Sequence, residues 1–113
     1  MIFDVGHAVW SFSCEVARKT LAAGLTPGTI SSDLHYHNVN GPVFDLPTTM
    51  SKFLLLGLGL DDIPMRTTTV PARVLGLADQ LGALRSGLLA DLASFRRLPS
   101  AAEIAQAGSA ARG

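Results

Sequence analysis

The sequence predicts an α/β fold organised around one strand–helix–strand unit. Three observations carry this expectation. The chain opens with a short apolar run, Met1-Ile-Phe-Asp-Val-Gly-His7, ending in Asp, Gly and His. A helical pattern from Ser11 to Ala23 follows, with Phe12, Val16, Leu21 and Leu25 on one side. After the helix stop at Gly24 and the turn Pro27-Gly28, a second β-branched run starts at Ile30. Two strands joined through a helix run parallel, with a right-handed crossover. Sites in such units are built at the carboxyl ends of the strands, where both His7 and Asp33 fall.

The run Ile30-Ser-Ser-Asp-Leu-His-Tyr-His-Asn38 is the chemically richest stretch. If it stays extended past Asp33, then Asp33, His35 and His37 stand at i, i+2 and i+4 and face the same way. One carboxylate and two imidazoles in one space suit metal binding or proton transfer. The same residues fit a turn-rich loop with solvated histidines, because three polar residues alone are a weak motif.

The remaining elements follow from local signals. Asn38 to Pro47 is rich in turn formers and should hang over the same end of the sheet as Asp33. A helix is expected from Met50 to Leu58, capped by Thr48 or Thr49, with Met50, Phe53, Leu54 and Leu58 facing a core. Another begins near Leu60, with Asp61 and Asp62 at its positive end and Pro64 tolerable only in its first turn. Thr67 to Val70 are poor helix formers, and Pro71 to Gly76 reads as a short helical turn. Leu81 to Phe95 has a strand–turn–strand pattern around Ser86-Gly87, with Ala90 to Phe95 the stronger strand. The last stretch, Pro99 to Gly113, is Ala, Gly, Ser and Gln with few large apolar residues. It predicts a disordered tail in which Ala101 to Ala107 flickers as helix.

Composition narrows the function classes. With 113 residues the chain has room for one modest domain, yet a parallel sheet needs many strand–helix units to cover both faces. At 48% hydrophobic and 16% charged, it carries more apolar surface than a small unit needs, which predicts packing against something outside it or self-association into a homo-oligomer. Formal net charge is zero and Arg96-Arg97 is too short for a basic patch, so nucleic acid and anionic membrane are not expected partners. The single cysteine, Cys14, excludes an internal disulfide and suits a reducing compartment. Near a helix start its thiol is either acidified or a small inert core residue. No signal-peptide pattern is evident, and the apolar run Phe53 to Leu60 is far too short for a membrane span, so cytoplasm is the expected location.

Five blocks in order resemble the amidohydrolase/deacetylase metallohydrolases of the amidohydrolase superfamily, enzymes related to dihydroorotases. They are Phe3-Asp-Val-Gly-His7 with Ser11-Phe12-Ser13; Ile30-Ser-Ser-Asp-Leu-His35; Asn40 to Phe53; Pro71-Ala-Arg73; and Leu81 to Gly87 with Ala90-Asp-Leu92. The resemblance implies the last two βα units of a (β/α)8 (TIM) barrel plus a short C-terminal β segment, an incomplete domain. Residues 1–77 would be the C-terminal part of the barrel, 78–95 the β segment of a small composite domain, and 96–113 the tail. By the same resemblance, Phe3 to His7 corresponds to strand seven and Ile30 to Asp33 to strand eight. Asp33 becomes the aspartate that binds a divalent metal, expected to be zinc, and serves as general base. His7 would line the substrate side together with Asn40, Gly41 and Pro42. His35 and His37 imitate a His-x-His metal pair, but their position after Asp33 argues against that role.

The departures are informative. Ala8 stands where the family usually has glycine, Pro64 interrupts a helix normally continuous, Val70 replaces a polar residue, and Ser86 replaces a proline. Strands one to six, with every other metal ligand, fall outside the resemblance. Two functions remain: a piece of a metal-dependent hydrolase of small amide or ester substrates, N-acyl compounds among them, inactive alone; or a non-catalytic assembly module that associates through apolar surface.

Overall fold

The computed structural model describes residues 1–7, 12–41, 43 and 45–99. The expected strand–helix–strand unit is present, in the form β1 (Asp4–Val5), α1 (Cys14–Ala22) and β2 (Thr29–Ile30). The strands pair in parallel, Asp4 opposite Thr29 and Val5 opposite Ile30. The ladder extends to the Gly28 and Thr29 amides donating to the Phe3 carbonyl and the Ser31 amide donating to the Val5 carbonyl. Ser13 caps α1 by accepting from the Val16 amide, Glu15 lies in the positive first turn, and Lys19 reaches it one turn on at 2.7 Å. That ion pair is solvent-exposed and adds only a few tenths of a kcal/mol.

Two expectations about α1 need correction. Val16 and Leu25 are 61% and 60% exposed, although Phe12 and Leu21 do pack on the core. The α1 flank, with the unpaired edge of β1, lines an open apolar groove that includes Phe3, Val16, Leu21 and Leu25, and no described element covers it. Cys14 is exposed and so is not a core residue. The expected start of the helix at Ser11 lies outside the described residues.

Helix α2 spans Leu46–Leu55, four residues ahead of its expected start at Met50. The cap is Asp45, not Thr48 or Thr49: its Oδ1 accepts from the Thr48 amide at 2.8 Å and the Thr48 hydroxyl at 2.6 Å. A carboxylate suits the positive helix end better than a hydroxyl, and Pro47 fits the first turn because no amide is lost there. The Thr48 hydroxyl, then the Thr48 amide, hold the Asp45 carboxyl below its ordinary pKa. Met50 and Phe53 are buried as expected, and Leu58 is buried in the turn after the helix.

Helices α3 (Asp62–Thr67) and α4 (Thr69–Val74) are separated at Thr68 alone, so the weak segment expected over Thr67 to Val70 narrows to one residue and α4 starts two residues ahead of Pro71, with Pro64 confined to the first turn of α3. Arg66 ties α3 to the sheet: its Nη1 donates to the Pro27 carbonyl just before β2, and its Nη2 lies 3.7 Å from Asp62. The chain then folds back on α4. The Thr69 hydroxyl donates to the Gly82 carbonyl, and Gly82, at φ 93°, sits where a Cβ would stand 2.5 Å from that of Ala72.

The expected strand pair at Leu81 to Phe95 does not form. Ser86-Gly87 makes its turn, with the Leu88 amide donating to the Arg85 carbonyl, but Ala90 to Phe95 is irregular and exposed. A strand is completed by a partner's hydrogen bonds, and no other described strand lies beside this one. Residues 100–113 of the expected tail lie outside the described residues.

The core is one cluster of Ile30, Met50, Phe53, Leu58 and Ile63, with Val5, Phe12, Leu21, Leu46, Leu54 and Leu56 around it. Val5 and Ile30 of the sheet belong to it. Phe53 is its largest fully buried side chain. Truncation there should cost about 3–5 kcal/mol, a large share of a small domain's whole stability. Phe53→Ala should therefore abolish the cooperative urea transition followed by circular dichroism, whereas Leu55→Ala, at an exposed position of the same helix, should leave the midpoint unchanged.

Candidate functional site

The strand pleat separates two kinds of chemistry. Opposite the core, the Asp4 carboxylate accepts from the Thr29 hydroxyl at 2.6 Å and the Ser31 hydroxyl at 2.7 Å. Gly6 and Asp33 continue that face at the carboxyl ends of β1 and β2. A Cβ on Gly6 would stand 2.9 Å from the Asp33 Cβ and 3.2 Å from the Ser31 hydroxyl oxygen, so the close approach requires glycine. Asp33 is the one described non-glycine residue with positive φ, at 48°. Left-handed backbone is uncommon for an L side chain, although Asp is among the residues that tolerate it. Its side chain is exposed, and among the described residues its carboxylate accepts no hydrogen bond.

This same φ ends the extended run. His35 and His37 therefore do not share a face with Asp33, which corrects the i, i+2, i+4 arrangement. The chain turns over residues 36–41, and the His35 Nδ1 accepts from the His37 amide at 3.1 Å. The two rings meet edge to face at 5.8 Å, and both side chains are exposed. Asn40 is exposed and Gly41 half-buried in the turn, with the Gly41 amide donating to the Asn38 carbonyl. Pro42 lies outside the described residues.

His7 points the other way, into the helix layer. It is 5% exposed, stacks on Phe12 at 4.6 Å, and its Nε2 is 2.8 Å from the Nζ of Lys52 on α2. Beside an ammonium donor, Nε2 serves as the acceptor, which puts the ring proton on Nδ1. Burial, reinforced by the Lys52 charge, holds the imidazole below its ordinary value of 6.5. The geometry buries His7 and pairs its Nε2 with Lys52. Its partner Lys52 could not be picked out from spacing, because it lies 45 residues away.

Asn38 is the other residue that sequence reasoning passed over. It is fully buried, and its amide Nδ2 donates to the carbonyls of His7 (3.2 Å) and Asp33 (2.8 Å) while Oδ1 accepts from the His35 amide (2.7 Å). A protein metal centre needs three or more ligands in fixed geometry. Among the described residues no three His, Cys, Asp or Glu side chains come together. Nor is any described helix long and apolar enough to cross a membrane.

No protein-family model matches the chain. Among solved structures, an adenine deaminase superposes with a TM-score of 0.75 at 38% identity, over 80% of this chain and 24% of that one. A dihydroorotase superposes with a TM-score of 0.63 at 46% identity, over 66% and 20%. The fold is thus a small α/β unit matching part of a TIM-barrel hydrolase of the amidohydrolase superfamily. The curated relatives it resembles are named deacetylases. The chain is 44% identical over 92 residues to a deacetylase of Agrobacterium fabrum, covering 81% of this chain and 22% of the relative. Deacetylases of Brucella anthropi (41% over 92 residues, 81% and 23%) and Enterococcus faecalis (40% over 96 residues, 84% and 26%) match likewise. The chain spans about a quarter of the length of these relatives.

Two outcomes are expected. In an NMR titration the His7 ring should protonate below 6.5, and Lys52→Met should raise its pKa by removing the charge. Because the folded pKa is lowered, the unfolded chain binds more protons between the two values. The His7 contribution to stability is therefore complete above 6.5 and lost as pH falls toward the folded pKa. A His7 titrating at or above 6.5 contradicts the buried neutral ring. Gly6→Ala should move the Asp33 resonances more than any others, since the new methyl meets Asp33 first.

Proposed function

We propose that this chain is the part of a metal-dependent deacetylase barrel that supplies the catalytic carboxylate, Asp33, and that it is inactive without the rest of the barrel. One observation carries the reading: an exposed aspartate, held in left-handed backbone against Gly6, stands at the carboxyl end of β2. Chemistry collects at that end of parallel strands in barrel enzymes. On this reading residues 1–77 are the last two βα units, with β1 as strand seven and β2 as strand eight. Residues 78–95 return to a small β domain and 96–113 are a tail.

A divalent metal, zinc by the family resemblance, would polarise the scissile carbonyl and acidify water when bound, with Asp33 as one of its ligands. The Asp33 carboxylate accepts the proton of the attacking water and returns it to the leaving nitrogen or oxygen. Asn40, Gly41 and Pro42 border the substrate, an amide or ester such as an N-acyl compound. Support for the class comes from the three relatives named deacetylase.

A second reading, assembly through apolar surface, is favoured by the exposed Leu89, Leu92, Phe95 and Leu98 beyond the helices. Size-exclusion chromatography distinguishes it: a well-behaved monomer argues against association.

Calorimetry should show only weak zinc binding by the isolated chain, unaffected by Asp33→Asn or by His35→Ala with His37→Ala. Tight stoichiometric binding abolished by the double histidine change would relocate the site. Grafted in place of the matching 92 residues of the Agrobacterium fabrum relative, the chain should retain hydrolysis. Asp33→Asn should then lower kcat by about 10²–10⁴-fold, as expected for loss of a general base. A graft indifferent to that change defeats the proposal.

A further inference from the structure

We infer that Asn38 is a positioning residue for Asp33, a side-chain clamp that sets the direction of the carboxylate by holding the carboxyl ends of both strands. The inference rests on the reading of Asp33 as the reactive carboxylate. The ladder between β1 and β2 ends with the Ser31 amide on the Val5 carbonyl. Beyond it the carbonyls of His7 and Asp33 have left the ladder, and a buried carbonyl without a donor is costly. The two N–H groups of the Asn38 amide answer both, at 3.2 and 2.8 Å. Its Oδ1 takes the His35 amide at 2.7 Å, so the residues on both sides of Leu34 are fixed through one planar group.

The clamp is itself held. The Asn38 amide donates to the His35 carbonyl, its own carbonyl accepts from Gly41 and Val43, and the side chain is fully buried beside the equally buried Val43. One rigid amide therefore fixes the carbonyl that follows Gly6 and the carbonyl of Asp33, the two residues in closest approach on the opposite face. Asp33 keeps its φ of 48° in this frame. Left-handed backbone at a non-glycine residue persists where surrounding bonds over-determine it. The carboxylate, which no described neighbour holds, takes its direction from its backbone, and the backbone takes its direction from Asn38.

The test uses the full chain labelled for NMR. Asn38→Asp keeps the size and the acceptor for the His35 amide but replaces the donor, and Asn38→Ala removes both. In each, the Asp33 Cα shift and amide–Hα coupling should leave left-handed values, and the His7 carbonyl should shift. The resonances of Ile30 and Phe53 should stay in place. A merely structural asparagine predicts otherwise: Asp33 unchanged, or every core resonance moving together, and either result overturns the inference. Should Asn38→Ala fail to fold, the same change in an Asp33→Gly background decides. Glycine adopts this φ without strain, so recovery of the fold there supports the clamp and failure overturns it. The readout needs no ligand. Loss of the metal role for Asp33, seen as a grafted enzyme indifferent to Asp33→Asn, would leave the clamp result standing.

Discussion

A parallel pair of strands has two faces, and both must be covered or made polar. This constraint organises the molecule. Val5 and Ile30 on one face are covered by Phe53 and Met50 of α2, by Ile63 of α3 and by Leu21 of α1. Among the described residues the other face has no such layer. There the strands carry Asp4, Thr29 and Ser31, bonded to one another, beside a groove shared with Leu46, Pro71 and Val74. Several features accompany this one-sided cover. The strands are two residues long, no other described strand pairs with β1, and Val16 and Leu25 are exposed.

The same pleat decides which polar residues can do chemistry together. His7 and Asp33 both end strands, and by position alone they read as one site. Alternation sends them to opposite faces, His7 into the helix layer against Lys52 and Phe12, Asp33 outward over Gly6. The neutral, buried imidazole and the exposed carboxylate are consequences of one geometric rule applied to adjacent positions. The backbone then joins what the side chains separate, through the Asn38 amide on both carbonyls.

A chain of this size buries too little to hide its apolar residues, because the share of surface buried falls with size. The relatives are about four times longer over the same match. In a barrel of that length each βα unit is covered by its neighbours on both sides. The segment from Ala90 to Phe95 shows the same logic for strands: a sequence with strand character stays irregular where no described strand stands beside it.

Much of this was legible in the sequence. The Gly24 stop and the apolar spacing of Met50 and Phe53 are local signals, and the helices they end or predict are present; the threonine-rich break narrows to Thr68. The motif order pointed to the deacetylase relatives for the same reason, since order along a chain survives without contacts. Other outcomes depended on contacts that the residue spacing did not announce, some of them local and one distant. Asp45 displaced the threonines as the α2 cap because a carboxylate bonds two Thr48 donors at a positive helix end. Asp33 turned left-handed, dispersing His35 and His37, where a buried asparagine holds its carbonyl. The Lys52–His7 pair spans 45 residues. Local chemistry selects helices, turns and caps; only the packed chain decides which face a strand-end residue takes and what holds it there.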